Sequence, residues 1–364
     1  MADYTIFGSD RQLDAGAFTP DDTITFVGTL GKDFLLGGGG EGMSTFLGTA
    51  GNDLYGVGPI DFTQPDWFLT YTVVDYSRAR SAVYVDMIFD GGTRTFVDEN
   101  GETRTVAILG TARDGLGGRD SFAALADSAR LFGEVISSIL EVVGSRFADT
   151  LIGNSVAEMH GGAGNDRIFG AFLFGDAGND RIFVRSAGDY GSYVEGGTGN
   201  DRIFASAFKD VGLLGNEGND FIDAGAGDDF LDGGVGADTL VSGSGNDTIN
   251  PDVEVFQSDP SQPRDRACDV IRVTRADLGA YTDTVLLNAF EEDRDQIHFR
   301  DAVKGGRDFH VDQEPDTIFP EITNTVLQID QDGDGLGDDT PDTDDYFLVV
   351  RSADLSLHDG YVLT

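Results

Sequence analysis

A single cysteine, Cys268, in 364 residues excludes any internal disulfide framework. A lone thiol of this kind reads as a small buried apolar residue rather than a reactive group. Basic residues are scarce, 24 Lys and Arg against 65 Asp and Glu, for a formal charge of −41. That balance excludes nucleic acid and anionic membrane surfaces as partners, because both are held by basic patches. Only four histidines occur, His160, His298, His310 and His358, and they are dispersed. No HExxH, no GxSxG and no phosphate-binding loop is present, so no catalytic motif stands out. No run approaches the ~20 apolar residues of a membrane span, so no transmembrane segment is expected. The start, MADYTIFGSD, has neither a basic end nor an apolar core, so no Sec-type signal peptide is expected. Glutamate is also rare: 13 of the 65 acids are Glu and 52 are Asp. Helical surfaces favour Glu, so this excess of Asp points to turns and metal loops.

Glycine is abundant, 51 residues, and much of it falls into a nine-residue phrase between 161 and 250. The phrase reads GGAGNDRIF at 161–169, GDAGNDRIF at 175–183, GGTGNDRIF at 196–204 and GNEGNDFID at 215–223. AGAGDDFLD at 224–232, GGVGADTLV at 233–241 and SGSGNDTIN at 242–250 follow without a gap. A fixed short period predicts an all-β solenoid. Six residues make a Gly-rich turn ending in Asp, and three make a short strand with one central aliphatic residue. Alternation along the strand turns Ile168, Ile182, Ile203, Ile222, Leu231, Leu240 and Ile249 inward. Two phrases make one coil, so the turns of alternate phrases stack along each edge. The stretches RSAGDYGSYVE and ASAFKDVGLL read as irregular second turns of their coils.

Stacking brings carboxylates together. Coils ~4.8 Å apart place neighbouring charges so that they repel by roughly 1 kcal/mol in water and about 3.5 kcal/mol at an effective dielectric of 20. A divalent cation between turns reverses the sign. Calcium takes 6–8 oxygen ligands, which carboxylates and turn carbonyls supply. Zinc and copper want the nitrogen and sulfur that these turns lack. The alternative is a metal-free solenoid that uses Asp-Gly turns for geometry alone.

The phrase is similar to the hemolysin-type calcium-binding repeat of RTX proteins, GGxGxDx-aliphatic-x. The resemblance implies a parallel β-roll with several calcium ions between stacked turns. It implies Asp166, Asp180, Asp201, Asp220, Asp229, Asp238 and Asp247 as side-chain ligands. Carbonyls of the preceding turn residues would complete each site: Gly161, Gly164 and Asn165; Gly178 and Asn179; Gly199 and Asn200; Gly218 and Asn219; Gly227 and Asp228; Gly236; Gly245 and Asn246. It also implies export through a type I secretion apparatus with an uncleaved C-terminal signal. Calcium is low in the cytosol and high outside, so such a chain folds after export.

The reading divides the chain at 1–143, 144–250 and 251–364. In the first part, GTLGKDFLLGGGGEG at 28–42 and GTAGNDLYG at 48–56 look like degenerate copies, with Asp33 and Asp53 at the ligand place. The segments 73–87 and 144–154 resemble the lead-in to such arrays, and Asp149 is ligand-like in a turn without glycines. Helical spacing of Phe122, Leu125, Ala129 and Phe132 predicts a helix over about 121–132 that covers the solenoid. In the last part, Asp330, Asp332, Asp334 and Asp338 around Gly335 resemble an EF-hand-like calcium loop. The end resembles closing strands and a secretion signal.

If the isoleucines face inward, Phe169, Phe183, Phe204, Arg181 and Arg202 face outward. Exposed aromatics in a row mean contact, either with another part of the chain or with a partner. The sequence thus points to a secreted calcium-dependent structural protein, of a surface layer, matrix or adhesion type. Its partners would be further copies of itself, in a layer or filament, or a cell-surface polysaccharide. The alternative is an extracellular enzyme or toxin module acting on polysaccharide from a β-helix scaffold.

Overall fold

The computed structural model describes residues 3–7, 23–27, 34–36, 43–57, 72–88, 92–97, 103–125, 140–185, 191–251, 267–272, 282–285, 296–298, 309–315, 323–329, 346–352 and 361–362. Every regular element among them is a strand. The chain forms two compact units, 1–177 and 178–364.

The second unit shows the roll in its plainest form. Tyr193–Thr198, Gly212–Glu217, Phe230–Val235, Thr248–Asn250 and Thr282–Val285 pair in parallel as one sheet. Arg181–Val184, Arg202–Phe204, Phe221–Asp223, Thr239–Val241, Val270–Arg272 and Gln296–His298 pair in parallel as the other. The chain alternates between the two sheets, so each pair of strands is one coil. Equal side chains meet in register: Ile182 opposite Ile203, Ile203 opposite Ile222, Ile222 opposite Leu240. These four, with Leu213, Leu231 and Ile249 of the other sheet, are fully buried. Each such side chain contributes roughly 1.5–3 kcal/mol. The parallel order ends where Tyr346–Ser352, Thr323–Ile329 and Phe309–Pro315 run antiparallel.

Coils also run through the first unit. Its first sheet is parallel throughout, in the order Asp3–Phe7, Thr23–Val27, Ser44–Leu47, Thr72–Asp75, Leu140–Val143, Glu158–His160 and Phe172–Phe174. In its second sheet a hairpin, Thr103–Arg113 and Arg119–Leu125, stands between Leu54–Val57 and Tyr84–Asp86. One sheet therefore gains two strands where the other gains none. Large side chains pack in this part of the core: Phe46, Tyr55, Tyr76, Phe122 and Met87 are all buried. Phe46 stacks on Tyr55 at 5.5 Å, and Tyr55 meets Phe122 at 6.2 Å.

This hairpin corrects the predicted helix. Residues 121–125 belong to the strand Arg119–Leu125, and Phe122 packs in the core rather than on a helix face. Cross-strand pairing outweighs the local apolar spacing. Residues 126–132, and with them Ala129 and Phe132, lie outside the described residues. Cys268 is corrected too: it is exposed rather than buried, one residue before the buried Asp269.

Candidate metal centre: rows of buried aspartates

Each repeat turn reverses the chain within six residues and then enters a strand. Two of its positions need special backbone. The second takes positive φ, at Gly162 (90°), Gly197 (101°), Gly225 (87°), Gly234 (94°) and Gly243 (92°). Asp176 (65°) and Asn216 (73°) fill the same position, since short polar side chains tolerate left-handed backbone. The fourth position is stricter, with φ of 124° to 147° at Gly164, Gly178, Gly199, Gly218, Gly227, Gly236 and Gly245. There the backbone also touches the preceding coil. A Cβ on Gly218 would stand 1.5 Å from the carbonyl oxygen of Gly199, and one on Gly236 1.6 Å from that of Gly218.

The turn ends by burying its aspartate. Asp166, Asp180, Asp201, Asp220, Asp229, Asp238 and Asp247 are all 1–3 % exposed. Their Oδ1 atoms form hydrogen-bonded rows along the edges of the roll. Along one edge of the second unit, Asp180 N–H donates to Asp201, Asp201 to Asp220, and Asp220 to Asp238, each at 2.7 Å, and Asp238 donates to Asp269 at 2.8 Å. Along the other, Asp210 N–H donates to Asp229 at 2.7 Å, Asp229 to Asp247 at 2.8 Å and Asp247 to Asp283 at 3.1 Å. In the first unit Asp149 N–H donates to Asp166 at 2.7 Å.

One oxygen of each carboxylate is thus committed to the backbone. The other faces a cradle. Beside Gly196, a Cβ would meet Asp201 Oδ2 at 2.7 Å and the Gly215 carbonyl oxygen at 2.7 Å. Beside Gly215 the pair is Asp220 Oδ2 at 2.5 Å and the Gly233 oxygen at 2.4 Å; beside Gly161 it is Asp166 Oδ2 and the Gly175 oxygen, both at 2.6 Å. The Oδ2 atoms of Asp201, Asp220 and Asp229 are buried and accept no hydrogen bond among the described residues. Burial pushes Asp166, Asp220 and Asp229 up to about 7 and Asp201 to about 6. A buried anionic oxygen left in this state is costly, and a bound divalent cation removes the cost. Carboxylate and carbonyl oxygens, with no nitrogen or sulfur, fit calcium.

The family described as RTX calcium-binding nonapeptide repeat matches this chain in four copies, over residues 158–172, 172–190, 186–207 and 214–249. The chain carries an RTX array. Such repeats bind calcium, and several copies imply several ions. No curated protein matches the chain.

The position-five residues of the RTX turns turn out to have side-chain work of their own. Asn179 Oδ1 accepts the N–H of Asn200, and Asn200 Oδ1 that of Asn219, at 2.7 and 2.8 Å. Asn219 accepts from Ala237, and Asp228 from Asn246, both at 2.9 Å. They form an exposed row outside the aspartate row; Asn165 is exposed as well. Asp53, in the first unit, is buried and donates its N–H to Asp120 Oδ1 at 3.0 Å. Asp33 and the acidic loop with Asp330, Asp332, Asp334 and Asp338 lie outside the described residues; the strands that flank that loop are antiparallel neighbours.

Sequence reasoning missed Asp120, Asp210, Asp269 and Asp283, all buried and all in register with repeat aspartates. Asp120 and Asp269 each precede a buried apolar residue, Phe122 and Ile271, by two positions, a signal that survives without the glycines; Asp283 lies inside the strand Thr282–Val285. Asp210 lies in an irregular turn, ASAFKD, that matches GSRFAD at 144–149. Both are Ser-x-Phe-x-Asp turns held without glycine. The Asp149 carboxylate accepts the N–H and the hydroxyl of Ser145, together with the Val83 N–H. Asp210 Oδ2 accepts the Ser206 N–H at 3.1 Å and hydroxyl at 3.3 Å. At Asp149 these donors serve both carboxylate oxygens, whereas at Asp210 the serine serves Oδ2 and the buried Oδ1 accepts no hydrogen bond among the described residues.

The outward residues lie where alternation puts them. Arg181 and Arg202 are exposed, and Phe169, Phe183 and Phe204 are half-buried. Phe183 stacks on Phe204 at 5.2 Å and 11°, and Phe204 meets Phe221 at 5.7 Å. Phe221, absent from the sequence reading, extends the stripe by one coil. Phe169 lies under the Arg167 guanidinium at 5.8 Å.

Proposed function

We propose that this is a secreted structural protein whose roll folds when calcium binds, and which then assembles on or between cell surfaces. The observation that carries the reading is the set of buried Oδ2 atoms, at Asp201 and Asp220 on one edge and Asp229 on the other, each accepting no hydrogen bond among the described residues. Asp166, Asp180, Asp201, Asp220, Asp229, Asp238 and Asp247 would hold the ions, with turn carbonyls such as those of Gly175, Gly215 and Gly233 facing them. Bound calcium would supply positive charge between coils and couple its binding energy to folding. The chain's own residues do the rest. Glycines at the fourth position let turns touch, and the asparagine row fixes their register.

An excess of acid over base makes the unliganded chain self-repelling, which suits export in an unfolded state through a type I apparatus. The stacked Phe183 and Phe204, with Phe221 tilted against Phe204 and with Arg181 and Arg202 beside them, offer an aromatic and cationic strip for a second copy or a surface polymer. Electron microscopy of the full chain with calcium and with excess EGTA tests the reading. Ordered layers or filaments only with calcium support it. A monomer in both conditions that degrades a polysaccharide overturns the structural role.

A further inference from the structure

A hairpin that enters the roll sideways builds a turn that a count of nonapeptides misses. Residues 114–120, Asp-Gly-Leu-Gly-Gly-Arg-Asp, cover the turn after the strand Thr103–Arg113 and the first two residues of its antiparallel partner Arg119–Leu125. The second arm runs parallel to Leu54–Val57, with Ser121 opposite Leu54. Asp120 therefore falls in register with Asp53.

The contacts between 114–120 and the 48–53 turn repeat those of the RTX array one by one. Asp53 N–H donates to Asp120 Oδ1 at 3.0 Å, as Asp201 N–H does to Asp220 at 2.7 Å. Arg119 N–H donates to Asn52 Oδ1 at 2.8 Å, as Asn219 N–H does to Asn200 at 2.8 Å. A Cβ on Gly118 would stand 1.4 Å from the Gly51 carbonyl oxygen, as one on Gly218 would stand 1.5 Å from that of Gly199. By its contacts, the hairpin turn is a repeat turn delivered on the arm of an antiparallel pair. It lies outside the residues that match the family.

Asp114 makes this place more than a copy. It is fully buried, and its Oδ1 accepts the N–H groups of Leu116, Gly117 and Gly118 at 2.8, 2.9 and 2.8 Å. Its Oδ2 accepts no hydrogen bond among the described residues. That oxygen lies 2.4 Å from the point where a Gly118 Cβ would sit, the same point that the Gly51 carbonyl approaches. A buried carboxylate oxygen and a carbonyl oxygen thus converge between the two turns. Asp53, whose Oδ2 takes the Thr49 hydroxyl at 3.2 Å, and Asp120, whose Oδ2 takes the Tyr76 hydroxyl at 2.9 Å, flank them. The Asp114 carboxylate oxygen and the Gly51 carbonyl are hard oxygen donors, and they fit a divalent cation of the calcium class.

We infer that the 48–53 and 114–120 turns together hold one calcium ion outside the RTX array, with Asp114 as a ligand and the Gly51 carbonyl facing it. The ion would clamp the hairpin to the neighbouring coil at the point where the sheet gains its two extra strands. The inference rests on the calcium reading of the repeat turns, and the test separates the two. Calcium bound by the full chain is counted by native mass spectrometry for the wild type, Asp114→Asn and Asp220→Asn. Asp114→Asn is expected to lose one ion and Asp220→Asn at least one other, with the double variant losing both sets. An unchanged count and affinity in Asp114→Asn, beside a loss in Asp220→Asn, overturns this inference and leaves the array intact. A wild type that binds no calcium overturns both. Anomalous diffraction from terbium-soaked wild-type crystals makes the test independent of how the variant folds. A peak between Asp114 and Gly51 is expected; peaks confined to the array overturn the site.

Discussion

Gly218 and Asn216 stand two residues apart in one turn, and both have positive φ, 141° and 73°. Only the first is bound to glycine. A Cβ at 218 meets the Gly199 carbonyl at 1.5 Å, while Asn216 already carries a side chain at a left-handed angle. Gly218→Ala is therefore expected to cost about 1–3 kcal/mol from backbone strain alone, and more from the clash. Asn216→Gly should change stability by less than about 1 kcal/mol. Urea denaturation of both variants in millimolar calcium checks this; equal midpoints would contradict the geometry. Asp220 tests charge rather than shape. Asp220→Asn keeps an oxygen for the Asp201 N–H but removes the anion. Calcium affinity should fall on the order of tenfold or more, read by isothermal titration. The repeat aspartates, their burial and their inward isoleucines are legible in the nonapeptide, because period two along a strand and a tight turn leave few alternatives. Asp114 is not legible. Nothing in its local sequence says that the turn folds back onto it.

The turn is the next unit, and two kinds share one edge geometry. Glycine turns leave an oxygen facing a cradle; the Ser-x-Phe-x-Asp turn at 145–149 closes on itself. Ser145 donates both its N–H and its hydroxyl to Asp149, so that turn is satisfied without an ion. Ser145→Ala should cost about 1–3 kcal/mol, and the loss should be the same in calcium and in EGTA. Asp220→Asn, by contrast, should destabilise the fold only when calcium is present. Thermal unfolding of both variants in both buffers separates the two kinds of turn. The serine turns are hard to see in advance, since they lack the glycines that mark the period. Their matching pattern in 145–149 and 206–210 becomes a signal only once register shows that both aspartates lie in the rows. The hairpin is the reverse case. Helical apolar spacing in 121–132 is a true feature of the sequence, but pairing with Leu54–Val57 and Thr103–Arg113 decides the conformation of residues 121–125.

At the scale of the whole chain, charge and burial pull against each other. Burial raises Asp166, Asp220 and Asp229 to about 7 and Asp201 to about 6, and it raises Asp120 to about 7. Their unfolded values lie near 3.9, so the calcium-free fold binds more protons than the unfolded chain between about pH 4 and 7. The stability this lends is full below about pH 4 and is lost as pH rises through 6 and 7. Without calcium, the β signal in circular dichroism should be stronger at pH 5 than at pH 8. With calcium the order reverses, because protons compete with the ion for the same oxygens. A calcium-free chain equally folded at pH 5 and pH 8 would sink this account. Assembly belongs to the same scale. Phe183→Ser with Phe204→Ser should abolish layers or filaments while leaving the circular dichroism of the calcium form unchanged; loss of folding instead would mean that the stripe is covered from within.

The sequence by itself determined the coil: a nine-residue period, an aspartate at the end of each turn, one apolar side chain inward, and acid enough to demand a cation. Those features are local, and each repeat states them again. Only the tertiary structure decided which aspartates outside the period join the rows, which turns close on a serine, and where a hairpin replaces a coil. Those outcomes depend on register between strands that are distant in sequence, as Asp53 and Asp120 are. No short-range pattern encodes which backbone N–H a buried carboxylate will meet.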